Sequence, residues 1–227
     1  MSHPQLDLTN DQLLSTTRAV RKRLDMDREV PLDVLDECLE MAIQAPSGSN
    51  AQGWQFVLVT DREKIEAIGG YYKQAYDVYK TMPISIHHLN QDTGDSTLSD
   101  SQVRSASSAD FLGDNMGRVP AMMIPCIAGR SDQPLPPGMP AGVAHTGVLG
   151  SIIPACWSFM LAARARGLGT SWTTAHLFHE RAVADLLGIP YDDYQQVALI
   201  PVAYTIGTDF KPAYRAPAST VTHVNKW

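Results

Sequence analysis

The sequence predicts a folded domain of alternating helices and strands, on three observations. A chain of 227 residues with 44% apolar content has enough apolar surface to bury a full core. Leu35, Cys38, Leu39 and Ala42 recur at helical spacing, so a helix from Pro31 to Gln44 buries one face. Gln55-Phe56-Val57-Leu58-Val59-Thr60 is a short β-prone run directly after the turn residues Pro46 and Gly48.

The remaining elements follow in order. Asp61 can cap a helix through Tyr79. From Asn90 to Ser108 the composition turns to Ser, Asp, Thr, Gln and Gly, an exposed loop with one helix near Ser99 to Asn115. Arg118 to Ala128 reads as a strand, and the prolines at 134, 136, 137 and 140 argue against regular structure between Gly129 and Gly142. Val143 to Arg166 is a long buried helix in which Pro154 should produce a kink or a late start, with Gly167-Leu168-Gly169 ending it. Its most apolar part, Val148 to Ala163, falls short of the ~20 residues of a membrane span. A strand at Thr170 to Thr173, a helix at Glu180 to Leu187 closed by Gly188, and a strand at Gln196 to Thr205 complete the body. The tail is irregular and then extended.

Charge and cysteines narrow the functional classes. A net charge of −6 gives no general attraction to nucleic acid or anionic membrane, so phosphate binding has to rest on a local cluster. One exists: Arg18, Arg21, Lys22, Arg23 and Arg28 are five of the 18 basic residues. Guanidinium forks suit phosphate oxygens, and the preceding helical segment could add backbone donors; standing alone, the cluster reads rather as a solvated turn balanced by Asp25 and Asp27. Cys38, Cys126 and Cys156 are scattered, which argues against a disulfide framework and fits a reducing, cytoplasmic setting, as does the start, which lacks the features of a secretory signal.

Common catalytic constellations are missing. His87-His88 and His176-x-x-His179 are pairs, but no nearby Cys, Asp or third His completes a tetrahedral metal set. There is no Gly-x-Ser-x-Gly elbow, and Gly167-x-Gly169 lacks the full dinucleotide fingerprint. What stands out instead is the loop Pro46 to Trp54, where Asn50 and Gln52 offer donors and acceptors for a ring edge of mixed polarity. Gly167 to Thr174 could bring backbone amides and Trp172 against a planar ligand. Blandly read, the first is a punctuated turn and the second weak evidence.

In order, these segments resemble the nitroreductase family of FMN enzymes across nearly the whole chain. Thr17-Arg18-Ala19-Val20-Arg21-Lys22 is similar to the family's Arg-Arg-Ser-Val-Arg phosphate segment. Ala45 to Phe56 is similar to Ala-Pro-Ser-x-x-Asn-x-Gln-Pro-Trp-x-Phe, the more specific motif. Gly167 to Thr174 resembles the stretch along the flavin ring, and Pro201 to Arg215 the closing segment. Thr17, Ala19 and Gly53 depart from the pattern, and Ala19 removes a hydroxyl, so phosphate contacts there could come only from backbone.

The resemblance implies an α+β, three-layer fold: a mostly antiparallel central sheet flanked by helices, one domain over 1–227 with a lid at about 71–142 and a C-terminal extension at about 206–227, forming an intertwined homodimer. FMN would lie at the interface. Arg18, Ala19, Arg21 and Arg215 would hold the phosphate and the polar flavin edge, and Trp172, Thr173 and Thr174 would line one ring face. Pro46, Ser47, Gly48 and Asn50 would arrive from the partner subunit. No catalytic side chain is implied, because FMN carries the chemistry: NAD(P)H gives hydride, leaves, and is replaced by an electron-poor acceptor such as a nitroaromatic or quinone. The rivals are another flavin chemistry on this fold (dehalogenation, enone reduction, flavin breakdown), a non-catalytic FMN carrier, and an interaction domain without cofactor. Neither a metal, nor nucleic acid, nor a membrane is implied.

Overall fold

The computed structural model describes residues 3–89, 94–135 and 137–227; the expected loop at 90–93 and the proline at 136 lie outside them. Eleven helices and strands follow one another: α1 Asn10–Thr16, α2 Leu32–Ala42, β1 Trp54–Val59, α3 Arg62–Tyr79, α4 Ser96–Asn115, β2 Ala121–Ala128, α5 Ala141–Ala165, β3 Leu168–Thr170, α6 Glu180–Leu187, β4 Tyr194–Gln196 and β5 Ile200–Tyr204. The strand order is β1-β2-β5-β3, with β4 also on β2, and every named pair is antiparallel. This is the expected α+β architecture.

Local chemistry accounts for the helix starts. At α1 a capping box joins Thr9 and Gln12. Asp61 accepts the amide of Lys64 at α3, and Asp95 accepts those of Thr97 and Leu98 at α4. Gly188, at φ 70°, closes α6.

Each face of the sheet carries its own core. Leu35, Cys38, Ile152, Cys156 and Phe159 of α2 and α5 pack on one face with Met123 and Ile200. Ile65, Ile68, Tyr72 and Leu112 of α3 and α4 pack on the other with Met122, Ile124 and Leu199. Strand β2, between the two layers, is buried over seven of its eight residues, so its apolar run does not alternate.

Three expectations shift. The anticipated strand at Thr170–Thr173 is displaced to Leu168–Thr170, because Gly167 makes the turn alone at φ 77° and the chain pairs at once with β5. Beyond Thr170, only an isolated bridge joins Thr173 to Leu199. The run Gln196–Thr205 is split: Val197, Ala198 and Leu199 stand opposite only Ile124 and Pro125, and Pro125 has no N–H for the ladder. Finally, α5 starts at Ala141 and continues through Pro154, whose missing N–H leaves the carbonyl of Gly150 without its helical donor.

Helix α3 approaches the 3₁₀ turn Met116–Arg118 so closely that a Cβ on Gly69 would lie 2.3 Å from the Cα of Gly117. Gly69→Ala should therefore lower stability by at least ~1 kcal/mol, although a mid-helix Gly→Ala change ordinarily adds about that much. Urea denaturation reads the sign directly, and a stabilised variant would show that α3 is not held at this distance.

Candidate functional site

The basic segment is fastened to the sheet edge as an irregular extra strand. The Val20 amide donates to the Thr170 carbonyl at 2.8 Å, Ala19 bridges Thr170 in parallel, and Asp25 donates to the Tyr204 carbonyl at 2.8 Å. Gly169 makes this approach possible. A Cβ there would lie 2.9 Å from the Cβ of Val20 and 2.8 Å from Thr205 Cγ2. With Val20 and Leu24 anchored in the core, Lys22 between them is exposed while Arg21 is half-buried.

Two concavities meet at Arg21. The first is an aromatic cavity in which Arg21 lies with Tyr72, Tyr76 and Tyr79 of α3 and with Trp172, Thr173 and Thr174. The second is a groove of about 480 Å³, lined by Arg18, Ala19, Arg21, Lys22 and Arg23, by Ser101, Arg104, Ser105 and Ser108 of α4, and by Phe210 and Pro212–Tyr214 of the tail. Among the described residues, no carboxylate lines it. Arg23 is paired with Asp209 at 2.7 Å, whereas Arg18, Arg21, Lys22 and Arg104 form no ion pair among the described residues. Their side-chain bonds are to neutral groups: Arg18 to the Lys211 carbonyl, Arg21 to Ser108 Oγ at 3.1 Å, and Lys22 to Ser107 Oγ at 2.8 Å.

Burial sets the electrostatics. It pushes the Arg21 guanidinium below its ordinary value, against the opposing effect of Tyr72 and Tyr76. Burial likewise raises the Tyr72 phenol to about 12, with Arg21 and Thr173 opposing. Tyr76 is raised too, first by burial and then by donating to Asp110 Oδ1 at 3.1 Å. Both phenols therefore stay neutral at physiological pH. A partly desolvated cation without an anionic partner, beside neutral aromatic donors, suits a planar ligand carrying negative charge at one edge.

The loop from Ala45 to Trp54 is more than a simple reversal in its backbone geometry. Ser49, Asn50 and Gln52 all have left-handed backbones, φ 54°, 53° and 48°, which ordinary turns reserve for glycine. Ser47 Oγ accepts the Gln52 amide, Gln52 Nε2 donates to Asn50 Oδ1, and the Gly48 amide donates to Ser151 Oγ of α5 at 3.0 Å. Gly48 lines a third, apolar groove with Met139, Val143 and Val148. That groove shares no residue with the two at Arg21.

Of the sequence-predicted residues, Arg18, Ala19, Arg21, Trp172, Thr173 and Thr174 are brought together, while Pro46, Ser47, Gly48 and Asn50 lie on a different surface of the same chain. Arg215 is not brought to the groove. It is exposed and donates to the carbonyl of Tyr214 at 2.6 Å. The neighbouring Tyr214 takes the groove position instead, with its hydroxyl bonded to Asp95. Arg104 and its serine neighbours went unremarked in the sequence. Their signal was Ser101-x-x-Arg104-Ser105-x-x-Ser108, one helical face inside a stretch read mainly as loop.

The His pair at 176 and 179 is divided by its surroundings: His176 is buried, and His179 stacks on Tyr71 with centroids 5.4 Å apart. Among the described residues, no group of three or more His, Cys, Asp or Glu could hold a metal. Burial pushes His176 down to about 3 from 6.5. The unfolded chain binds this proton below pH 6.5 and the folded one does not, so its contribution is complete above that pH and is lost as the pH falls toward 3. His176→Gln should flatten the decline of the unfolding free energy, read from urea denaturation between pH 7 and 4, by up to ~1.4 kcal/mol per pH unit. Equal slopes would mean that His176 titrates normally.

Comparison with known proteins gives the family and the fold. The model of the nitroreductase family matches residues 14–204. A candidate NADH dehydrogenase/NAD(P)H nitroreductase of Methanothermobacter thermautotrophicus is 37% identical over 57 residues, and the alignment spans only 25% of this chain and 29% of that relative. Among solved structures, the fold is similar to a BluB-like flavoprotein of Clostridium difficile (TM-score 0.69, 16% identity, 96% of this chain and 100% of that one). It is similar also to an iodotyrosine deiodinase bound to FMN and 3-iodo-L-tyrosine (0.63, 21%, 90% and 93%). A third likeness is to a candidate nitroreductase of Exiguobacterium sibiricum in complex with FMN (0.65, 14%, 99% and 100%). From its fold and the family match over residues 14–204, this chain belongs to the nitroreductase family.

Proposed function

We propose that this protein is an FMN-dependent oxidoreductase that uses NAD(P)H to reduce an electron-poor acceptor such as a nitroaromatic or quinone, alternating between donor and acceptor. The observation that carries the reading is Arg21, which joins the aromatic cavity to the carboxylate-free basic groove. The residues fit the cofactor on their own chemistry. A flavin mononucleotide has a planar ring with a polar edge and, beyond a flexible chain, a phosphate; here an aromatic cavity adjoins a groove in which Arg18, Arg21, Lys22 and Arg104 have no acidic partner among the described residues.

Arg18, the Ala19 backbone, Arg21, Trp172, Thr173 and Thr174 would hold FMN from one side. Pro46, Ser47, Gly48 and Asn50 of the partner subunit would hold it from the other. When bound, FMN supplies the hydride chemistry. The chain's task is then to orient, to exclude water and to balance charge. Arg21 offers a fixed positive charge that needs no rearrangement as negative charge develops beside it. Tyr72 and Trp172 keep that charge in a poorly hydrated setting.

Shared sites require association, and α5 supplies a reason for it. Val143, Leu149, Ile153 and Trp157 of this helix are exposed. By length and composition α5 could cross a membrane, yet one side of it packs on α2 and the sheet. The outward apolar face fits a second copy of the chain.

Two experiments test these statements. The purified protein should show a flavin spectrum that bleaches on anaerobic NADPH or NADH titration, and double-reciprocal plots against an acceptor series should be parallel. Colourless protein after expression with excess flavin would favour an interaction domain, and bound flavin that never bleaches would favour a carrier. Ile153→Glu places a charge on the exposed face of α5, and light scattering should then report monomer while FMN is lost at the same time. Monomers that retain FMN would exclude a shared site.

A further inference from the structure

Helix α4 forms a wall of the basic groove that no motif pointed to. Lys22 is bonded to Ser107 and Arg21 to Ser108, which fixes the helix beside the basic segment. From Ser108 the groove face continues toward the N-terminus through Ser105, Arg104 and Ser101. Arg104 lies about one helical turn from Ser108, and Ser101 about two turns, roughly 10 Å along the axis. Arg104 is exposed, and its guanidinium has neither an ion pair nor a hydrogen bond among the described residues. A second observation bears on the same place. In the basic segment, Ala19 lines the groove beside Arg18 and has no hydroxyl to offer, and Arg215 does not line the groove.

We propose that Arg104, with the hydroxyls of Ser101 and Ser105, is the α4-borne ligand of the cofactor's phosphate monoester. This rests on the flavin reading given above. The ring end of the site is fixed by Arg21, Tyr72 and Trp172, where the cavity opens into the groove. A phosphate separated from the ring by a five-carbon chain must therefore be met farther along the groove, and Arg104 is the unpaired cation displaced in that direction along α4. Its planar fork can bind two phosphate oxygens at once, and serine hydroxyls can donate to a third. Ser101 and Ser105 thus replace, from α4, the hydroxyl that Ala19 lacks. One helix then both closes the aromatic cavity, through Ala109, and selects FMN over flavins without phosphate.

Binding to apo-protein, followed by quenching of flavin fluorescence, separates this from a structural role. Wild-type protein should bind FMN more tightly than riboflavin. Arg104→Ala should weaken FMN by roughly ten- to a hundredfold and leave riboflavin unchanged, and Arg104→Lys should recover part of the loss. Equal weakening of both ligands, unchanged FMN affinity, or a phosphate-selective loss in Arg215→Ala but not in Arg104→Ala would each overturn the assignment. Wild-type protein that binds neither flavin would overturn the cofactor reading itself, and this assignment with it.

Discussion

The site depends on one seam, the contact of the basic segment with the exposed edge of β3 and the end of β5. Only a few bonds make it, chiefly the Val20 amide to Thr170 and the Asp25 amide to Tyr204, each 2.8 Å. Its closeness comes from Gly169, where any side chain would strike Val20, Leu24 and Thr205. Burial of Val20 and Leu24 then fixes which side chains can turn inward. As a result Arg21 loses water without acquiring an anion, an arrangement that costs free energy in the isolated chain and that a bound anion would offset. Strain of this kind is tolerated where binding requires it.

The sequence exposed most of the architecture because its signals were local. Asp61 and Gly188 mark helix ends through hydrogen bonding and positive φ, and the periodicity of Leu35, Cys38 and Ala42 marks the face of α2 that enters the core. It misled wherever the decisive contact was distant. The run Gln196–Thr205 looks uniformly β-prone, yet the break in it is imposed by Pro125, some 70 positions earlier. Thr170–Thr173 likewise has strand composition throughout, but only Thr170 has a continuous partner in β5.

The same distinction governs the site. Arg18, Arg21 and Trp172 belong to contiguous motifs that read directly as cation and ring, and they converge. Arg215 belongs to a motif as well, but the neighbouring Tyr214 takes the groove position, bonded to Asp95 across 119 positions. Arg104 reaches the groove only because α4 packs on α3, where Gly113 leaves room for the ring of Tyr76; a Cβ there would lie 2.5 Å from it. Helix packing is not encoded in any short pattern around residue 104.

The loop at 45–54 completes the physical picture. Three non-glycine residues in left-handed backbone cost on the order of 1 kcal/mol each, less for Asn. A solvent-exposed turn gains nothing from that expense, and a few side-chain bonds to Ser47 and Asn50 do not remove it. The loop is tied to α5 through Gly48 and Ser151, so its amides and the exposed apolar face of α5 occupy one continuous surface. Association through that surface would bury Val143 and Met139 and, in the same event, carry the preformed loop toward the second copy. Apolar burial at ~25 cal/mol per Å² readily exceeds a strain of this size. Under the association proposed above, the energetic logic of the loop lies outside the single chain, which would explain why its motif is legible in the sequence while its counterpart, the cavity at Arg21, lies elsewhere on the same molecule.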